Sequence, residues 1–206
     1  MGTQPLWIVR PYKKEDIFMH KQRTFITTKT LTYSALMAAL SVVLARLFGM
    51  MPDESSRFSI EAVPIFLAGM LCGPLPGALV GFTADLIGCL MFSTFGYNPI
   101  FCIPPIFYGV CGGLFRYFLA KGVNIPRLAL SFLPPVLLGS VLYQSAALAA
   151  VYYKDNFLEG LILKLTTRSV QFAIVYVLDV LVIFLLMRSN MFTRLGLWPP
   201  VKKENV

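Results

Sequence analysis

Several side chains that can bind a ligand stand inside long apolar runs of this sequence. Asp85 lies in the run GFTADLIG, and Asp179 lies in the run YVLDVLVIF. A polar or ionisable group in such a run is costly, and it usually marks a functional site. Other polar residues inside or beside apolar runs are Arg46, Arg57, Tyr97, Asn98, Gln144, Arg168 and Gln171.

These groups together predict a ligand of definite chemistry. Carboxylates and amides pair with the N–H-rich edges of heterocycles, and arginines clamp carboxylates with two hydrogen bonds. Neighbouring aromatic side chains can stack on a flat ring; they are Phe92, Phe95, Tyr97, Phe101, Tyr143 and Phe172. We therefore expect a ligand with a ring at one end and anionic groups at the other. Asp179 lies deeper, and an interhelical hydrogen bond or an arginine partner would also explain it.

The composition indicates that lipid surrounds these residues. Of 206 residues, 57% are hydrophobic and 14% are charged, and the mean hydropathy is +0.71. Soluble domains are usually about 25% charged. We predict an all-α integral membrane protein, a six-helix bundle, because a span needs about 20 mostly apolar residues. The candidate spans are Thr30–Met50, Glu61–Gly73, Leu75–Phe92, Pro99–Leu119, Leu128–Tyr152 and Ser169–Arg188.

Basic residues predict the orientation of the bundle. Thirteen of the 18 Lys and Arg residues fall in the first 29 residues, in the link RYFLAKGVNIPR and in the final segment from Arg188. Basic residues concentrate on the cytoplasmic side, so both termini should be cytoplasmic. Residues 1–28 and 191–206 are predicted to be tails that flank a membrane domain at 29–190. A nucleic-acid partner is not expected, because the basic residues flank spans and form no single patch.

The cysteines and the histidine suggest no metal site or cofactor. Cys72, Cys89, Cys102 and Cys111 stand in apolar runs without a CxxC pair, as small buried hydrophobes do. The one histidine, His20, is in the polar amino-terminal segment. Two membrane aspartates could instead form the acid–base pair of an intramembrane enzyme, but the sequence around Asp85 is Thr-Ala-Asp and not Gly-x-Gly-Asp. A self-sufficient channel or carrier is a third possibility.

The first span has a smooth face made of small residues. Ser34, Ala38, Ser41 and Ala45 recur at helical spacing, and Ala35 with Ala39 forms a small-xxx-small pair beside them. Small residues allow close approach of two helices in lipid. Such a face serves either for packing within the bundle or for docking onto another membrane protein, and its position on a terminal helix suits docking.

Several stretches resemble the folate-specific, FolT-like substrate-binding subunits (S components) of energy-coupling-factor (ECF) vitamin transporters. They are SSRFSIEAVPIFLAGMLCGPLPGALVGFTADLIGCL, GYNPIFCIPPIFYGVCGGLFR and the alanine-rich first span, within about Thr28 to Arg188. The resemblance implies a non-enzymatic, multi-pass subunit of a prokaryotic plasma membrane. It also implies docking through Ala35 and Ala39 to an EcfT-like coupling subunit that works with two ATPase subunits.

With folate as the implied ligand, placement of the polar residues suggests a role for each. Asp85 and Asn98 would bind the pterin edge, Tyr97 would stack on the ring, and Gln144 or Gln171 would add hydrogen bonds. Arg46, Arg57 and Arg168 would bind the glutamate carboxylates. Thiamine or riboflavin is the alternative vitamin within the same class.

Overall fold

The computed structural model describes residues 27–47, 50–53, 56–58, 60–92, 98–120, 123–153, 156–189, 192, 195 and 197–198. Apart from one short hairpin, the elements in these ranges are helical. The helices are α1 (Thr28–Leu47), α2 (Ala62–Cys72), α3 (Pro74–Phe92), α4 (Ile103–Leu114), α5 (Arg116–Ala120), α6 (Ile125–Pro134), α7 (Gln144–Tyr152) and α8 (Phe157–Arg188). A 3₁₀ turn (Pro99–Cys102) precedes α4, and a π-helical segment (Pro135–Tyr143) joins α6 to α7. Strands β1 (Met50–Asp53) and β2 (Ser56–Phe58) form an antiparallel pair.

Four helical stretches of the described chain are long and apolar enough to cross a membrane: Thr28–Ala45, Pro74–Met91, Ile125–Tyr152 and Phe157–Arg188. Two shorter apolar stretches are Ala62–Cys72 and Pro99–Leu114. Many large apolar side chains point outward from these helices. The prediction of a helical membrane protein is confirmed.

Some predicted span boundaries are wrong. The last helix begins at Phe157 and not at Ser169, because residues 157–168 contain no proline and are mostly good helix formers. The fourth span is divided at Phe115, and the first helix ends at Leu47. Between the first two helices lie the two short strands, and β1 includes Met50, which was predicted to end the first span.

Helices α2, α3 and α4 pack through their backbones. The α2–α3 turn is made by Gly73, whose φ of 113° favours glycine. A methyl group on Gly109 of α4 would overlap the carbonyl of Gly77, and one on Gly69 would overlap the carbonyl of Gly109. We call Gly69, Gly77, Gly109 and Gly113 the glycine layer; it requires small residues because no side chain fits between the helices.

An aromatic cluster joins α6 to the rest of the bundle. The Phe132 ring is fully buried, and its centroid lies 4.9 Å from that of Phe66 and 5.4 Å from that of Tyr108. Tyr176 of α8 lies on the same cluster and donates its hydroxyl to the Ala129 carbonyl at 2.8 Å. These contacts fix α8 against α6 and α4, and so they position the polar side chains of α8.

The residues after α8 return to the start of α1. Lys29 Nζ donates to the Leu195 carbonyl at 3.0 Å, and Phe192 is buried. The cysteines lie as expected for small hydrophobes, since Cys102 and Cys111 are buried and all four are free thiols.

Ala38, Ser41 and Ala45 of α1 are buried, so the predicted stripe is a packing surface. Ser41 Oγ donates to the Glu61 carbonyl at 2.9 Å, which ties α1 to the start of α2.

Candidate functional site

One face of α8 carries a buried column of polar side chains. Arg168, Gln171 and Asp179 are only 5%, 3% and 1% exposed. Their spacings of three and eight residues place them on the same helical face. Arg168 and Asp179 are separated by about 16 Å along the axis, at 1.5 Å per residue. We call Arg168, Gln171 and Asp179 the polar column.

The column reaches about half-way through the bundle. α2 has 11 residues, about 16 Å of helix, while α3 has 19 residues, about 28 Å. Helices α2 and α3 meet at Gly73. Glu61 directly precedes α2, so it lies beside the middle of the longer α3. Glu61 and Asp179 lie within electrostatic range of each other, so Asp179 lies in the part of the bundle near the start of α2.

A buried pair of hydroxyls lies beside the deep end of the column. Tyr108 of α4 and Ser140 of the π-helical segment are hydrogen bonded at 2.9 Å, and both are buried. Tyr108 is within electrostatic range of Arg168, Asp179 and Glu61. Single-turn π-helical distortions often occur at functional sites because they redirect side chains. Here Ser140 lies within the π-helical segment and is hydrogen bonded to Tyr108 of α4.

The first residue of the column, Arg168, packs on an aromatic ring. The Arg168 guanidinium carbon lies 5.1 Å from the centroid of the Phe172 ring, a cation–π contact. Strand β2 packs against α8. The column runs from Arg168 to the level of Glu61 and Asp179. We call the end of the bundle that carries the hairpin between α1 and α2 the hairpin end.

Arg168 and Gln171 are the two predicted site residues that the structure places together. They were expected at the start of the last span, which is wrong, because α8 extends three turns beyond Arg168 toward the hairpin end. This explains why Arg168 is buried and not at a helix terminus.

The other predicted residues are on different elements. Asp85 is half-buried on α3, and its Oδ1 accepts a weak bond from Cys89 Sγ at 3.9 Å. Asn98 caps the 3₁₀ turn, since its Oδ1 accepts from the Ile100 N–H at 3.1 Å. Gln144 is half-buried at the start of α7. The side chains of Arg46 and Arg57 and all of Tyr97 lie outside the described residues.

Sequence reasoning missed three polar residues at the deep end, namely Glu61, Tyr108 and Ser140. Glu61 could have been predicted, because an acidic residue directly beside an apolar run is unusual, as Asp85 is within one. Tyr108 and Ser140 could not have been predicted, because single tyrosines and serines are common in apolar spans. A π-helical segment also has no simple sequence pattern.

The Tyr108–Ser140 bond can be measured by a double-mutant cycle. Tyr108→Phe and Ser140→Ala should each destabilise the protein, and their coupling should be about 1 kcal/mol, as found for buried hydrogen bonds between membrane helices. The measurement is thermal unfolding in detergent. The control cycle pairs Ser140→Ala with Tyr152→Phe, an exposed tyrosine, and should show no coupling. Equal coupling in both cycles would contradict the assignment.

Comparison with known proteins identifies the family. Residues 25–188 match the sequence family described as "ECF-type riboflavin transporter, S component", which is most of the chain. The chain belongs to this family of ECF transporter S components. Members of this family are transporter subunits, so this S component is a membrane transport protein and not an enzyme.

A curated relative and two solved structures are similar to this S component. The folate transporter FolT of Clostridium novyi (strain NT) is 31% identical over 99 residues, 48% of this chain and 56% of that protein. The alignment thus spans little more than half of the relative. A crystal structure of FolT bound with folic acid has a TM-score of 0.65 at 23% identity, covering 79% of this chain and 95% of that one.

The second structure is the S-component for biotin from an ECF-type ABC transporter, solved at 2.1 Å. Its TM-score is 0.52 at 20% identity, covering 86% of this chain and 95% of the other. At these identities the two structures establish the fold, which is that of S components. The all-helical membrane architecture expected from the sequence is in agreement with both.

Proposed function

We propose that this S component binds folate from outside the cell and delivers it inward when docked to an ATP-driven coupling module. The observation that carries the proposal is the polar column, which is buried on one face of α8, the helix against which β2 packs. The name of the 31% identical relative supports folate, and so does the higher TM-score with FolT than with the biotin protein.

The column suits an elongated ligand with carboxylates at one end. An arginine held over an aromatic ring presents a planar fork to a carboxylate, and two parallel hydrogen bonds form. We assign Arg168 to the glutamate part of folate and Gln171 to a neighbouring amide or carboxylate oxygen. Arg46, Arg57, Asp85, Tyr97, Asn98 and Gln144 remain proposed contacts on the grounds given by the sequence.

We further propose six membrane spans with both termini in the cytoplasm of a prokaryotic cell. The two shorter apolar helices would complete the set begun by the four long ones. The excess of basic residues at the termini and in the 116–127 link supports this orientation. The hairpin end would then face outward, as capture of an external vitamin requires.

The proposed partners are an EcfT-like transmembrane coupling subunit and two ATPase subunits. Ala35 and Ala39 are exposed on α1, whereas Ala38 and Ala45 are buried against the bundle. The small pair is therefore available for a second membrane protein, as tight helix packing requires.

A titration of the purified chain in detergent with folate, thiamine and riboflavin tests the ligand. We expect saturable folate binding at least about 100-fold tighter than binding of the other two, because polar sites discriminate strongly between hydrogen-bonding patterns. Riboflavin is the alternative candidate, since the description of the matched family names it. Tighter binding of riboflavin would replace folate in this proposal.

Replacing Ala39 with leucine tests docking. The larger side chain would keep the two helices apart, so ATP-dependent folate uptake by the complete transporter should fall at least about tenfold. Folate binding by the isolated variant should not change. The control is Ala150→Leu, an exposed alanine on α7, which should leave uptake intact. Normal uptake by the Ala39 variant would exclude this face as the docking surface.

A further inference from the structure

Asp179 is a buried carboxylate with unused hydrogen-bonding capacity. It is 1% exposed, and its Oδ1 has no hydrogen-bond partner in the part of the chain that the structure describes. Its buried neighbours along α8 are Val175, Val180 and Ile183, which offer no donor. Such an acceptor is expensive to bury unless something donates to it. The interhelical bond or arginine partner expected for Asp179 is not found among the described residues.

The surroundings of Asp179 add negative charge. Glu61 is within electrostatic range, and two carboxylates in a low-dielectric interior repel each other. Arg168 is about 16 Å away along α8, too far to pair with Asp179. The hydroxyls of Tyr108 and Ser140 already bond to each other. The end of the column at Asp179 therefore presents hydrogen-bond acceptors, and it suits a ligand that has N–H donors.

Resting on the proposed function, we infer that Asp179, and not Asp85, binds the donor edge of the pterin ring. That edge has a 2-amino group beside a ring N–H, two parallel donors that match the two oxygens of one carboxylate. The ring then lies at the deep end of the column, near Tyr108 and Glu61. The glutamate end points toward Arg168 and the hairpin.

The donor pattern of the pterin edge would also let Asp179 discriminate against other vitamins. The isoalloxazine ring of riboflavin has one N–H between two carbonyls, so a carboxylate placed there would face two acceptors. The aminopyrimidine of thiamine has one amino group beside a ring nitrogen that accepts. A buried acceptor without a donor is strongly unfavourable, so Asp179 would act as the specificity-determining residue of the site.

The test combines one substitution with one change in the ligand. Folic acid and an analogue with methyl in place of the 2-amino group are titrated against the wild type, Asp179→Asn and Asp85→Asn. The wild type should prefer folic acid by about 100-fold, the value expected for a charge-assisted pair of bonds. Asp179→Asn should lose most of that preference, while Glu159→Gln, an exposed acid in the first turn of α8 that is titrated as the control, should keep it.

Thermal stability separates a ligand-binding role from a structural one. Without added folate, Asp179→Asn should unfold at or above the wild-type temperature, because Asp179 Oδ1 accepts no hydrogen bond from the residues that the structure describes. The rise in unfolding temperature that folic acid gives the wild type should be largely lost in this variant. Asp179→Ser, which also removes the carboxylate, should behave in the same way.

If Asp179→Asn weakened the binding of folic acid and of the analogue by the same factor, the assignment of Asp179 to the 2-amino edge would be wrong. The proposal that the wild type binds folate would still stand. Loss of the 2-amino preference in Asp85→Asn alone would overturn it in favour of Asp85. If the wild type bound no folic acid at all, the proposed function itself would fail.

Discussion

Replacing Gly109 with alanine is expected to lower the unfolding temperature by about 10 °C or to prevent folding. The added methyl would overlap the Gly77 carbonyl, and backbone atoms on both helices would have to move apart. Overpacking of this kind costs about 3 kcal/mol or more, and each kcal/mol corresponds to about 2–4 °C in a chain of this size. Thermal unfolding in detergent and the yield of monodisperse protein measure the effect.

Gly139→Ala is the matched control. Gly139 also lies in a helical segment, but an added methyl there would meet Phe107 Cδ1 at 3.4 Å and Pro104 atoms at 3.7 Å or more, which is ordinary contact. Alanine favours helix over glycine by about 1 kcal/mol. The control should therefore be unchanged or slightly more stable. A stable Gly109 variant beside a stable control would mean that α3 and α4 are not in backbone contact.

Replacing Arg168 with glutamine is expected to weaken folate binding by about 100-fold. The substitution removes the charge and the planar fork that would hold a glutamate carboxylate, and bonds of that type contribute about 1.5–3 kcal/mol each. Arg168→Lys keeps the charge but not the planar fork of donors, so its affinity for folate should fall about tenfold. Isothermal titration of the purified variants measures both losses.

The ligand supplies the sharpest control for Arg168. Pteroic acid lacks the glutamate of folate, so its affinity should be nearly the same for the wild type and the glutamine variant. Arg188→Gln, an exposed arginine at the other end of α8, should bind folate normally. Equal loss of folate and pteroic acid would indicate that Arg168 supports the fold or binds the ring.

Most of the helical architecture could be predicted from the apolar runs and from the prolines and glycines that separate them. The turn at Gly73 falls in the segment CGPLPG, and the cap at Asn98 directly precedes Pro99. The stripe of small residues on α1 is also present, but it packs inside the bundle. These features depend on local chemistry, such as a cap, a turn or a run of small residues. Local chemistry can be read from one sequence.

The polar column could be predicted only in part. Arg168 and Gln171 were visible because polar residues in apolar runs are conspicuous, but their depth was not, since it depends on where α8 begins. The pairing of Tyr108 with Ser140 joins positions 32 residues apart through a distorted helix. Contacts of that kind depend on how whole helices pack, and a single sequence does not fix that packing.

The glycine layer holds helices α2, α3 and α4 together through main-chain atoms. Backbone contacts of this kind cannot be released by a change of side-chain rotamer. We therefore expect these three helices to move as one rigid unit, so that any conformational change during transport falls on the other helices or on the protein as a whole.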